Sequence, residues 1–130
     1  MNIEVRYYSR SGNTKAVAEA IAAAADVKAI SVDDEDAAIK ETADVLFVGG
    51  ALYAYGIDAH LKSFLRSLEK EAVKKAVVFS TSWISKHSID LIKKELLEKG
   101  IEVEDDAFYV KSRPNDAQLK QAEQFAKKYL

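Results

Sequence analysis

The sequence predicts an α/β fold of three layers, an α/β/α sandwich whose five-stranded parallel sheet runs in the order 2-1-3-4-5. Two observations carry this. Short apolar runs alternate along the whole chain with longer segments of helical period, the mark of successive βαβ units. Crossovers between parallel strands are almost always right-handed, so units of this length leave few strand orders. A chain of 130 residues with one proline, five glycines and no flexible linker is expected to form one domain over residues 1–130.

The first strand is expected over Asn2–Tyr8, with Glu4 and Arg6 at alternate positions where a central strand wants apolar side chains. A pairing of the two on one face would accommodate them. The alanine-rich helix that follows, about Asn13–Ala25, lines up Val17, Ala20, Ile21 and Ala24. A weaker strand at Val27–Val32 leads through Asp33 and Asp34, both able to cap, into a short helix near Glu35–Thr42. Val45–Val48 is wholly apolar and ends in Gly49-Gly50, as suits a strand covered on both faces. Leu61, Phe64, Leu65 and Leu68 then follow the i, i+3, i+4, i+7 pattern behind a capping Asp58.

Ala76–Phe79 is the fourth strand, and Ile89, Ile92 and Leu96 line a helix that Gly100 ends. In the fifth strand, Ile101–Val110, the polar Glu104-Asp105-Asp106 predicts a bulge or break and an edge position. The last helix starts near Asn115 or Asp116 and presents Leu119, Ala122, Ala126 and Tyr129.

Composition removes several function classes. With no cysteine, disulfides, thiolate metal sites, iron–sulfur clusters and thiol catalysis are excluded, so redox chemistry would belong to a bound cofactor. A net charge of -2 and a pI near 5.7 argue against nucleic acid, which needs a concentrated basic face. No run reaches the roughly 18 apolar residues of a membrane span. The N-terminal run also lacks a signal peptide's apolar centre, so no membrane insertion and a cytoplasmic location are expected. A monomer or weak homodimer is the expected state.

In the predicted strand order, a ligand crevice forms at the C-terminal ends of strands 1 and 3, where the connections diverge. Ser9-Arg10-Ser11-Gly12-Asn13-Thr14 lies there and joins a strand directly to a helix N-terminus. Such an end offers unpaired N–H groups and the positive pole of the helix dipole. Ser9, Ser11 and Thr14 add hydroxyls, and Gly12 permits close backbone approach. Hydrogen bonds to a charged group are worth about 1.5–3 kcal/mol each, so such a loop could hold a phosphate without a lysine. The plainer alternative is that these residues only cap the helix. The pattern is neither G-x-G-x-x-G nor the G-x-x-x-x-G-K-[ST] of a nucleotide P-loop.

The run Tyr7-Tyr8-Ser9-Arg10-Ser11-Gly12-Asn13-Thr14 resembles the FMN-phosphate signature of the flavodoxins, T/S-x-T/S-G-x-T after an apolar strand. Element order and lengths along the whole chain are similar to those of the short-chain flavodoxins. The resemblance implies that Ser9, Ser11, Asn13 and Thr14 contact the FMN phosphate and that Gly12 supplies an N–H. Arg10 falls at the variable position, either facing solvent or adding charge near the phosphate.

Two further loops would hold the flavin ring. Gly49-Gly50 and Ala51-Leu52-Tyr53-Ala54-Tyr55-Gly56 resemble the segment passing along its face and edge. A planar ring gains about 0.5–1.5 kcal/mol from an aromatic partner, the alternative being that Tyr53 and Tyr55 pack under the loop. By the same resemblance, the Tyr55-Gly56 peptide is the one that reorients to accept a hydrogen bond from the reduced ring. Ser80-Thr81-Ser82-Trp83 resembles the loop that clamps the pyrimidine end, with Trp83, the sole tryptophan, over the ring or else in the core. His87 and His60 are expected to be surface or capping residues rather than proton donors.

The function implied is FMN-dependent transfer of one or two electrons between redox partner proteins, a reductase and an acceptor. The alternative is a small FMN-dependent oxidoreductase acting on a quinone or porphyrinogen, which Gly50-Ala51-Leu52-Tyr53-Ala54 resembles slightly. A phosphorylated receiver domain shares the fold class, but its acidic positions are filled here by Ser9–Ser11 and Gly49-Gly50. Charge is a departure: flavodoxin carriers are commonly far more acidic around the flavin, whereas these loops hold Arg10 and Lys86 with only Asp58 nearby.

Overall fold

The computed structural model describes residues Met1–Leu130. Its strands are β1 (Ile3–Tyr7), β2 (Ala29–Ser31), β3 (Val45–Gly50), β4 (Ala76–Thr81) and β5 (Val103–Val110), all parallel, in the order β2-β1-β3-β4-β5. The helices are α1 (Asn13–Ala25), α2 (Ala59–Ser67), α3 (His87–Glu98) and α4 (Asp116–Lys127). The expected fold class and strand order are therefore those observed.

Period-two alternation divides the core between the two faces of the sheet. Val5, Phe47, Val77 and Phe79 join Val17, Ile21 and Phe125 under α1 and α4. Leu46, Val48 and Val78 join Leu61, Leu65, Ile92 and Leu96 under α2 and α3. Both β3 and β4 are buried throughout, and β3 runs two residues beyond its expected end, through Gly49 and Gly50. A Cβ at Gly49 would overlap both the ring and the carbonyl oxygen of Phe79, which is how closely β3 and β4 meet at this end.

The helix expected near Glu35–Thr42 is absent, and turns fill the segment. Ile3, Val5 and Tyr7 occupy the α1/α4 face, so Glu4 and Arg6 face the layer where that helix would have packed. Arg6 is 2% exposed. Its Nη2 lies 3.1 Å from Glu4 Oε1, and its Nε donates to the Ala37 carbonyl at 2.7 Å. A buried guanidinium needs a backbone carbonyl freed from helical bonding, and Asp34, which accepts from the Asp36 N–H at 2.8 Å, holds the chain in a turn that supplies it. The Glu4–Arg6 pair is thus present, and it replaces the helix.

At the far edge, two residues along β4 (Ala76 to Val78) are matched by four along β5 (Val103 to Ala107), so the polar triplet bulges as expected. Lysines meet it: Lys75 reaches Glu104 at 2.7 Å and Lys93 donates to the Asp105 carbonyl at 2.7 Å. The caps follow the sequence. Asp58 accepts from the His60 N–H, Gly100 is left-handed at φ 78 after α3, and Asn115 and Gln118 form a reciprocal capping box on α4.

Candidate functional site

The loops after β1, β3, β4 and β5 lie together at the C-terminal edge of the sheet. They enclose a cleft of about 430 Å³, within the range of small-ligand sites. Arg10, Ser11 and Asn13 line it from the first loop, Ala51, Leu52, Tyr53, Ala54 and Tyr55 from the second, and Thr81, Ser82 and Trp83 from the third.

The first loop is left open at the head of α1. Gly12 sits at φ 93, a left-handed conformation costly for other residues, and no side chain caps the helix from this position. Ser11 Oγ accepts at 3.4 Å from the N–H of Asn13, the first residue of α1. Ser9 Oγ accepts from the Gly12 N–H at 3.0 Å, folding the loop on itself, and Ser11 lies exposed on the cleft wall.

Thr14 is buried below, its Oγ1 2.6 Å from Thr81 Oγ1. Two hydroxyls share one hydrogen bond, so one of them keeps a proton with no acceptor in the chain. Leaving a buried donor unmatched is costly, so that proton is available to an oxygen entering from outside the chain.

Arg10 is half-exposed and lines the cleft beside Ser11 and Asn13. Its Nη2 bonds Asp58 Oδ2 at 2.8 Å and also the Tyr55 hydroxyl, while its guanidinium carbon lies 4.0 Å from the Tyr53 ring centroid. Asp58 turns its other oxygen to the His60 N–H and to Nδ1 at 2.9 Å, and the His60 ring stacks on Tyr8 at 5.0 Å. The loop after β1 is thereby braced to the loop after β3. Burial pushes the Asp58 carboxyl up, but the bonds from Arg10 and His60 outweigh it and hold the group below its ordinary value of 3.8. Burial also raises the Tyr53 phenol, against the opposing pull of Arg10.

Tyr53 is half-buried and Tyr55 is 63% exposed. Their rings stack on each other at 5.9 Å, and both residues line the cleft. The backbone here forms a tight turn in which Tyr53 and Gly56 exchange bonds of 2.8 and 3.0 Å. The N–H of the Tyr55-Gly56 peptide is thus tied to Tyr53, and reorienting that peptide breaks this bond. Gly56 holds φ 112. Trp83 is 70% exposed, so a core role is ruled out.

Four other candidate residues, besides Ser9, stand behind the cleft wall. Gly12 and Thr14 lie at the head of α1, and Gly56 closes the turn. Ser80 is buried, its hydroxyl spent on the Gly50 carbonyl at 2.5 Å and on Ser88 at 2.6 Å, so it ties β3 to the start of α3. His87 is exposed at the start of α3, 3.8 Å from Asp90, away from the cleft.

Two lining residues were missed by the sequence reading, Ile84 and Ser112. Ser112, at φ 70, follows β5 and carries that loop into the cleft. The sequence signal for Ser112 is its position just past the fifth strand, since a crevice forms at the C-terminal ends of the strands. Asp58 is legible in the sequence as a cap and as the one carboxylate near these loops, but its bond to Arg10 carries no sequence signal.

Fold and site together define a doubly wound α/β protein with a cleft at the C-terminal edge of its sheet. The model of the flavodoxin domain family matches residues 5–125, and the chain belongs to the flavodoxin family. No curated protein matches the sequence. Among solved structures, the chain is similar to a flavodoxin from the domain Archaea, with 26% identity and a TM-score of 0.78, covering 99% of this chain and 96% of that one. Flavodoxin 1 from Bacillus cereus superposes with a TM-score of 0.81 at 22% identity, over 99% and 97% of the two chains. The rubredoxin oxygen:oxidoreductase from Desulfovibrio gigas shares the fold over 97% of this chain and 34% of its own, with a TM-score of 0.82 and 18% identity. No helix is long and apolar enough to cross a membrane.

Proposed function

We propose that this protein binds FMN, with the phosphate in the Ser9–Thr14 loop and the ring between the Ala51–Gly56 and Ser80–Trp83 loops, and passes one or two electrons between redox partners. The observation that carries the reading is the uncapped head of α1 with the Thr14–Thr81 hydroxyl pair beneath it, opening on a cleft walled by aromatic side chains. These residues fit the group: donors without acceptors suit a phosphate dianion, and Tyr53, Tyr55 and Trp83 offer flat surfaces to a flat ring. Bound FMN would supply the redox chemistry that a chain without cysteine lacks. The protein's part is to hold the phosphate, orient the ring and limit access to its edge. The same proposal has it working in the cytoplasm as a monomer or weak homodimer, exchanging electrons with a reductase and an acceptor.

One observation favours a second reading, an FMN-dependent oxidoreductase taking a quinone or porphyrinogen: a cation, Arg10, lines the cleft where carriers commonly place carboxylates. The purified protein, mixed with FMN and desalted, is expected to be yellow and to quench the flavin's fluorescence. Riboflavin, which lacks the phosphate, is expected to be lost on desalting. Reduction in two separate one-electron steps supports the carrier, and turnover of a quinone with NAD(P)H supports the enzyme. A colourless protein refutes both.

A further inference from the structure

We propose that the face around the cleft is a docking surface for an acidic electron-transfer protein, one whose cofactor edge is ringed by carboxylates. The proposal builds on the flavin reading, since the patch surrounds the same cleft. Its centre is apolar: Tyr55, Trp83 and Ile84 are 63%, 70% and 57% exposed, and all three line the cleft. An apolar centre inside a charged rim is the usual anatomy of a protein interface.

The sign of the rim is what selects the partner. Lys111 and Arg113 flank Ser112, and Lys86 lies with its Nζ 5.4 Å from the Tyr109 ring, whose hydroxyl bonds the Ser82 carbonyl. All three cations are exposed, and none is in an ion pair. From Ser80 to Ile89 and from Ala107 to Asn115 there is no acidic residue. On the other side of Tyr55, Lys62 and Lys94 line a groove between α2 and α3, where Glu95 is already spent on Arg66 at 3.1 Å. Asp58, the carboxylate nearest the cleft, is buried and held by Arg10. Asp90 stands exposed in the first turn of α3, facing His87.

The opposite edge of the same face is acidic. Asp33, Asp34, Glu35 and Asp36 follow β2 and are exposed. A net charge of -2 therefore conceals a gradient, basic over the cleft and acidic at the β2 edge, which would orient an acidic partner toward the cleft as it approaches.

The sole tryptophan reports on this patch without any cofactor. In the FMN-free protein, quenching of Trp83 emission by iodide is expected to exceed quenching by caesium, and K111E/R113E, with folding checked by circular dichroism, is expected to narrow the difference. A plant-type ferredoxin, acidic, and cytochrome c, basic, are then titrated by calorimetry at rising salt. The ferredoxin is expected to bind, more weakly as salt rises, and the reversal variant to bind it on the order of tenfold more weakly. Stronger quenching by caesium, preference for cytochrome c, preference for anionic vesicles over the ferredoxin, or self-association lost in the reversal variant would each overturn the proposal. A colourless protein would refute the flavin reading, while the quenching and binding arms would still report on docking.

Discussion

At the level of single side chains, the Thr14–Thr81 hydroxyl pair separates stability from binding. Thr14→Val leaves the buried Thr81 hydroxyl without a partner, which costs about 1–3 kcal/mol. Adding Thr81→Val removes both polar groups at constant shape and is expected to recover most of that loss in urea unfolding. FMN affinity should fall in the single variant and stay low in the double. If affinity returned with stability, the hydroxyls would not be phosphate donors.

Asp58 does two jobs that substitution can divide. Asparagine still caps α2 but cannot pair with Arg10, whose side chain is 47% exposed, so Asp58→Asn is expected to cost less than about 1 kcal/mol. Asp58→Ala also loses the cap, for about 1 kcal/mol more. Because the folded carboxyl lies below its ordinary 3.8, its contribution is fully present above that pH and is lost as pH falls through the depressed folded value. The stability gap between wild type and Asp58→Asn should therefore close in acid below about pH 4, a trend that unfolding at stepped pH would show or refute.

Among the elements, the connection from β2 to β3 depends on one buried cation. Arg6→Ala strands Glu4 and the Ala37 carbonyl together, and removing one partner of a buried pair costs about 3–5 kcal/mol, here at the lower end because the Glu4 side chain is 23% exposed. Amide exchange is expected to quicken first in the segment between β2 and β3; uniform quickening would mean that Arg6 supports the sheet as a whole. The same residue explains where the sequence misled. Asp33, Asp34 and a run of moderate helix formers read as a capped helix, but Arg6 lies some thirty residues earlier, and its claim on the Ala37 carbonyl is a long-range contact that no local pattern displays. Helices α2, α3 and α4 were legible because each combines a local stripe with a local cap or a glycine stop, α1 from its alanine-rich stripe alone, and the β5 bulge because three adjacent acids cannot be buried.

Over the whole molecule, the strand order brings loops that are far apart in sequence to one end of the sheet. The lining of the cleft from the first three loops was therefore readable once the order was known, while the Arg10–Asp58–His60 chain and the Ser112 loop were not, since side-chain direction is set only by the folded surroundings. That convergence has a thermodynamic consequence. A ligand that bridges loops from both ends of the chain binds only the folded state, so at about 100 times its Kd it adds about 2.7 kcal/mol to stability. For a chain of 130 residues this is expected to raise the melting temperature by about 10 °C. Riboflavin at the same concentration should raise it far less, because it lacks the group that the Ser9–Thr14 loop and the Thr14–Thr81 pair would hold. Equal shifts for the two ligands would place the binding energy in the aromatic walls and leave the loop after β1 without its assigned role.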